Sequence, residues 1–414
     1  MGLQMIKNIL YDNSIVAMKD MNLSIGIALT AEQINNLKDD IIWYVEEEVN
    51  GVNVLVPKVY LSKETLASLG DNQTGIYGGD SLNISALAIT NTGKIQSTGD
   101  IIINTDELLN KSILGDYKAK INGNNINIIS VGDINNIGAE INAENNLSLE
   151  SLKGSIANKT ILRENVMSDN YIASKVENSA SMSGDNISIN ANKDFENTGA
   201  LVKADNNLDI EAENITANTI EVHNYHHTGG TKNYTINESL ENFGSSLEGT
   251  DIVLNANKDI NIKGSNIVAN NNLNLSAGDD VNIVASVDTN YYEHQESKKK
   301  SFGRSKSKTE VKYSTKHNSS NLIGENINIT SGKDTAIIGS NIQAGTEGKA
   351  EINAGGDIVQ AAVKDINYSY KKTTKKGFLG LTGSSKSSES YKEEAIKANT
   401  ISGTGGTTYV ADKG

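Results

Sequence analysis

The sequence predicts an all-β fold, a right-handed parallel β-helix (solenoid) with protruding β-hairpin insertions behind a small mixed α/β N-terminal segment. Three observations carry this. In Asp251–Ser286, Ile252, Leu254, Ile260 and Ile262 are apolar at period two, as are Leu273, Leu275, Val281 and Ile283, with Asn, Asp, Lys, Gly or Ser between the pairs. Such alternation over so few residues marks short half-buried strands, and the separators mark tight turns. The second observation is recurrence: Leu273 follows Ile252 by 21 residues, and Ile187 to Leu208 and Ile126 to Leu147 repeat that spacing. A unit this short cannot bury its apolar face alone, so it must stack on its neighbours. The third is a longer period, in which NANKD at Asn190–Asp194 returns 65 residues later at Asn255–Asp259, and GSNI at Gly264–Ile267 returns at Gly339–Ile342.

Stacking in register sets like residues about 4.8 Å apart and pairs each backbone amide with the coil above or below. Ile and Leu then form interior columns, and Asn and Gly occupy the corners. Roughly ten to twelve coils make a rod about 50–60 Å long, and crossover connections of this kind are right-handed.

Taken in order, residues 1–79 form a pre-repeat segment. Thr30 through Gln33 fits a capping box, predicting a helix over 31–39. IIWYVEEEV and VNVLVPKVYL flank Asn50-Gly51, a dipeptide that favours a hairpin turn. Trp43, the only Trp, is expected to pack that hairpin onto the end of the array. A second short helix is expected over 62–69, ended by Gly70. Coils fill 80–414, with insertions near 154–184, 221–249, 288–322 and 365–394; the third and fourth share a layout that reads as a protruding hairpin. Insertions at one point of a repeat emerge on one face.

Composition restricts function. With 37 Gly, one Pro, no Cys and a net charge of −14 in 414 residues, the chain fits many short turns, lacks disulfides and thiol chemistry, and as a whole does not seek nucleic acid. No segment reaches the ~18 apolar residues of a membrane helix. Charges break up the N-terminal apolar residues, so no signal peptide is read; the repeats favour a piece of a longer exported protein.

Candidate chemistry is sparse. His223, His226 and His227 have the residue type of a zinc or nickel site but sit in a Gly- and Asn-rich insertion. The acidic pairs Asp279-Asp280 and Asp39-Asp40 invite comparison with polysaccharide-cleaving β-helices, yet the first lies at a corner, and the only two Arg, Arg163 and Arg304, lie in insertions. No calcium nonapeptide period, phosphate loop or nucleophile elbow occurs. No catalytic, cofactor or metal residue is assigned.

The insertions hold the functional signal. Asp288–Lys316 carries eight Lys/Arg against four acidic residues. Tyr291, Tyr292, Lys298, Lys299, Lys300, Phe302 and Arg304 in the third insertion, and Lys375, Lys376 and Phe378 in the fourth, are the candidate surface contacts. A basic hairpin with aromatic residues suits anionic lipid or lipopolysaccharide; the alternative is that Lys and Ser keep an exposed hairpin soluble.

The segment LTAEQINNLKDDIIWYVEEEVNGVNVLVPKVYLS at Leu29–Ser62, followed by coils such as NKDINIKGSNIVANNNLNLSAGDDVNIVAS, resembles the hemagglutinin-repeat region of filamentous hemagglutinins and contact-dependent growth inhibition exoproteins. The resemblance implies a secreted or surface-displayed bacterial fibre, exported through an outer-membrane partner by two-partner secretion, that meets a target-cell surface or receptor and serves adhesion or the delivery of a C-terminal toxin. The expected function is therefore a non-enzymatic stalk and interaction segment. Two alternatives are a β-helical polysaccharide-degrading enzyme and a segment inserting into a target outer membrane.

Overall fold

The computed structural model describes residues 3–30, 33–34, 36–49, 52–60, 62, 75–113, 115, 117–168 and 170–412. The chain divides into two compact units, Met1–Thr74 and Gly75–Gly414.

In the first unit a 19-residue helix, Leu3–Met21, precedes an antiparallel hairpin of Ile41–Val49 and Val52–Tyr60. Sequence reading finds the hairpin and misses the helix. Its stripe Leu10, Ser14, Ala17 and Met21 has helical spacing, but Ser14 breaks the apolar pattern. That serine is buried because its Oγ donates to the Leu10 and Ile42 carbonyls and accepts the Ile42 amide. The capping box forms as expected: Gln33 N donates to Thr30 Oγ1 (3.2 Å) and Thr30 N to Gln33 Oε1 (2.9 Å). Its helix is shorter than expected, with the backbone already in a turn at Asn36. Trp43 is buried inside this unit, in a cluster with Leu23, Leu29, Leu37, Ile41 and Val45, and its Nε1 donates to the Ile27 carbonyl. The burial expected from the end of the array is thus supplied by the unit's own core. The Asn50-Gly51 turn and most of the expected helix over 62–69 lie outside the described residues.

The second unit is a parallel β-helix of three-sided coils. Its first side is an 11-stranded parallel sheet, so the described array has eleven coils and a length of about 48 Å at the inter-strand spacing. The second and third sides form one 19-stranded sheet, because the long strands Ser81–Asn91 and Asp100–Lys111 each run through both sides.

The 21-residue partners lie directly over one another: Leu147 on Ile126, Leu208 on Ile187 and Leu273 on Ile252. Ile252, Leu254, Ile260 and Ile262 are all interior, as their alternation requires. Each such aliphatic side chain contributes about 1.5–3 kcal/mol by leaving water.

One interior column departs from the expectation that Asn keeps to the corners. Asn91, Asn110, Asn136, Asn158 and Asn197 are buried on the third side and joined amide to amide at 2.8–2.9 Å. Each of the last four also donates to a corner carbonyl, for example Asn136 to Ala139 and Asn158 to Leu201. From Ala217 onward the same column is Ala217, Ile262, Ile283 and Ile337. Polar satisfaction in the early coils gives way to apolar packing in the later ones.

Candidate functional site

The four insertions are hairpins: Ile161–Ser168 with Tyr171–Asn178, Ile220–Gly230 with Asn233–Phe243, Ser286–Lys299 with Ser305–Asn318, and Val363–Lys376 with Gly383–Ile396. Each leaves the coil directly after a third-side strand, at every second coil. Two coils advance the array by about 9.6 Å, and a two-stranded hairpin is about 9.6 Å wide. Neighbouring hairpins therefore meet at sheet spacing, and all four join edge to edge into one eight-stranded antiparallel sheet. The insertions emerge on one face as expected, but as a continuous side sheet rather than as separate protrusions.

The turns between the paired coils, at Gly138, Gly199, Gly264 and Gly339, have φ of +56°, +55°, +53° and +57°. Glycine is needed there twice over. That region is costly for L side chains, and a Cβ on Gly339 would lie 2.6 Å from Val363 Cγ2 at the base of the fourth hairpin.

Register sorts the side sheet into two chemically different faces. On one, Tyr225, Glu238, Tyr291, Tyr313, Tyr368 and Tyr391 stand opposite one another in a row across six strands. Glu293 accepts the hydroxyls of Tyr291 (2.6 Å) and Tyr234 (2.7 Å). Burial first, and then the Glu293 hydrogen bond, push the Tyr291 phenol up to about 12. On the other face Lys308 and Lys312 approach Glu310 at 2.8 and 3.3 Å, and Lys371 approaches it from the fourth hairpin at 3.9 Å. Lys308 foremost, outweighing the effect of burial, holds the Glu310 carboxyl down at about 2.

The candidate contacts do not form one site. Tyr291 and Tyr292 lie on the hairpin shaft and, being consecutive, on opposite faces. The other eight cluster at the tips of the third and fourth hairpins, which touch. The Phe302 and Phe378 rings are 5.9 Å apart, and Leu379 N donates to the Phe302 carbonyl at 3.0 Å. Phe302 and Leu379 have φ of +61° and +53°, a conformation bulky residues rarely take, and strain of this kind concentrates at functional sites. Sequence reasoning missed Leu379 and Leu381, 65% and 82% exposed; the motif FLGL beside the Lys pair is the signal that points to them. Around this apolar knob, residues 298–308 carry six Lys/Arg and no acid, and residues 371–386 carry five and no acid. Lys299, Lys300, Arg304, Lys306, Lys375 and Lys376 have no carboxylate partner among the described residues.

The other candidates resolve into ordinary structure. His223 pairs with Glu238 at 3.0 Å, His226 packs edge-on against Tyr171, and His227 bonds Asn170 at 3.0 Å. His226 faces away from the other two because it sits at odd spacing from them along one strand, and no metal-ligating cluster occurs among the described residues. Asp280 sits in a corner stack, its amide donating to Asp259 and its carboxylate accepting from Asp334 N. No helix among the described residues is long and apolar enough to cross a membrane.

A solenoid whose unit is two coils plus a hairpin, with hairpins zipped into a side sheet, defines a class of repeat protein. The Hemagglutinin repeat family model matches residues 227–377 and 300–411, and the chain belongs to this family, together with the filamentous hemagglutinins and CdiA exoproteins. It is 29% identical over 97% of its length to a 16S rRNA endonuclease CdiA of Enterobacter cloacae, and 28% identical over 89% to a tRNA nuclease CdiA of Escherichia coli. It is 32% identical over 23% of its length to the filamentous hemagglutinin of Bordetella pertussis, covering 2% of that protein. The chain spans only 14% and 11% of the two CdiA proteins. No solved structure matches it.

Proposed function

We propose that this chain is a non-enzymatic stalk segment of a longer bacterial exoprotein, secreted or displayed at the cell surface through an outer-membrane two-partner-secretion transporter. In this reading the β-helix holds the side sheet away from the producing cell, and the tip of the third and fourth hairpins rests on the anionic surface of a target cell, lipid or lipopolysaccharide. Adhesion through this contact, or its use to bring an attached toxin to the target, follows from the same placement. The observation that carries the reading is the tip itself, an exposed Phe302, Phe378, Leu379 and Leu381 knob ringed by unpaired cations. Apolar residues that enter a headgroup layer and Lys that pair with phosphates are the two elements of interfacial binding.

Co-sedimentation of the full chain with phosphatidylcholine vesicles, with and without phosphatidylglycerol, and with lipopolysaccharide tests this. Lys contributes about 1 kcal/mol near an anionic surface, so reversing Lys299, Lys300, Lys375 and Lys376 to Glu costs at least about 4 kcal/mol, roughly a thousandfold. Added salt weakens the same binding. Equal binding by wild type and the reversed variant would remove the tip from the proposal.

A further inference from the structure

The side-sheet face opposite the tyrosine row carries a groove of about 560 Å³ that the tip contact does not use. Its floor is a row of amides and hydroxyls in register across four strands: Asn224, Ser239, Asn290 and Ser314. The next row outward is Tyr171, His226, Asn237, Tyr292 and Lys312. Tyr171 and Tyr292 are three strand intervals apart, about 14 Å, and the floor also spans three.

The amides and hydroxyls of this groove are uncommitted except Asn224, whose Oδ1 accepts from Ser174 N at 3.2 Å. Elsewhere asparagines that stand over one another bond to each other, as Asn136 to Asn158 inside the coils and Asn321 to Asn266 outside them. Asn237, Ser239, Asn290 and Ser314 make no side-chain hydrogen bond among the described residues. The charge at the groove is already neutralised, Lys312 by Glu310, with the Lys312 ammonium also 5.3 Å above the Tyr292 ring. Free amides and hydroxyls between two aromatic side chains, without free charge, match an uncharged polyhydroxyl ligand. An extended peptide has no purchase here, because the strands beneath the groove are interior to the sheet and offer no edge to pair with.

We infer that this groove binds a neutral linear oligosaccharide, lying across the strands over Asn237, Ser239, Asn290 and Ser314 with Tyr171 and Tyr292 as platforms for sugar rings. The surface is separate from the basic tip, so the two proposals fail independently.

Cellohexaose, chitohexaose and maltohexaose, titrated into the full chain by calorimetry, are the probes. At least one binds, and Asn290→Ala and Tyr292→Ala each weaken it by roughly tenfold or more. Tyr292→Phe, which keeps the ring, leaves binding within about twofold, and reversing the tip lysines changes nothing. Asn290 is exposed, so its variant reads the groove even if Tyr292→Ala disturbs the sheet. Binding to none of the three, binding unaffected by Asn290→Ala, or binding only to a sulfated glycan that is lost on tip reversal would each overturn the inference.

Discussion

Replacing Asn158 by Leu tests whether the buried amide column holds the early coils together. Asn158 is completely buried; it accepts from Asn136 at 2.8 Å and donates to Asn197 at 2.9 Å and to the Leu201 carbonyl at 3.0 Å. Leucine shares the γ-branched shape of asparagine but ends the run. Asn136 keeps its bonds to the Ala139 and Ser181 carbonyls, so its amide stays satisfied. The Asn197 Oδ1 loses its donor inside the core. Two lost donations at about 1 kcal/mol each, plus about 1–3 kcal/mol for the orphaned acceptor, give about 3–5 kcal/mol, and added apolar burial offsets about 1 kcal/mol of that. In a solenoid such a loss is local, because each coil touches only its neighbours. Hydrogen exchange read by mass spectrometry should therefore show amides in 134–198 exchanging roughly 30- to 1,000-fold faster, with the coils beyond Val281 unchanged. Replacing Asn110, Asn136, Asn158 and Asn197 together by Leu is expected to cost much less per site, since Asn91 keeps its bonds to the Gly93 and Lys120 carbonyls and no side-chain acceptor of the column is left without its donor. Unchanged or increased protection in 134–198 for the single variant would refute the reasoning.

Three further perturbations probe other parts of the structure. Ile262→Asp places an unpaired carboxylate between Ala217 and Ile283 at a cost of several kcal/mol; unchanged resistance to limited proteolysis would contradict an interior Ile262. Gly339→Ala forces a Cβ into a left-handed corner and against Val363, costing at least about 1–2 kcal/mol, and part of this should return in the double variant with Val363→Ala, read by exchange at the base of the fourth hairpin. The Tyr291 phenol, raised to about 12 by burial and Glu293, exceeds the unfolded value near 10. Its contribution to stability is therefore complete below about pH 10 and is lost as pH rises from about 10 to 12. A difference titration of phenolate absorbance between wild type and Tyr291→Phe should show the missing group ionising near pH 12, and a difference centred near pH 10 would contradict the burial and hydrogen bond.

The coils were legible because their physics is local to the repeat. Ile187 and Leu208 announce a shared column through spacing alone, and Ile262 announces an interior side chain through alternation. The Asn column was hidden because Asn136 in DINNIG reads as a turn former, and only the stacking that brings Asn110 and Asn158 beside it makes burial affordable. The helix over Leu3–Met21 was hidden because a buried Ser14 occupies its apolar stripe. The side sheet was hidden for a different reason. Tyr313 and Tyr368 belong to separate insertions, and with both sheet faces in solvent no apolar period marks their pairing. The shared layout of the third and fourth insertions tied the two hairpins as equivalents, but not as neighbours.

The pairing of distant insertions into one sheet underlies both binding proposals, and a cysteine pair tests it directly in a chain that has no Cys. Tyr313 and Tyr368 stand opposite one another, with Cα atoms at about 4.5–5.5 Å for such a pair, inside the range a disulfide spans. Tyr313→Cys with Tyr368→Cys is expected to oxidise to an intramolecular disulfide in the folded chain, while Tyr313→Cys with Ser369→Cys, whose side chains point to opposite faces, stays reduced under the same conditions. Failure of the first pair to close, or equal closure of both, would contradict a single sheet built from separate hairpins.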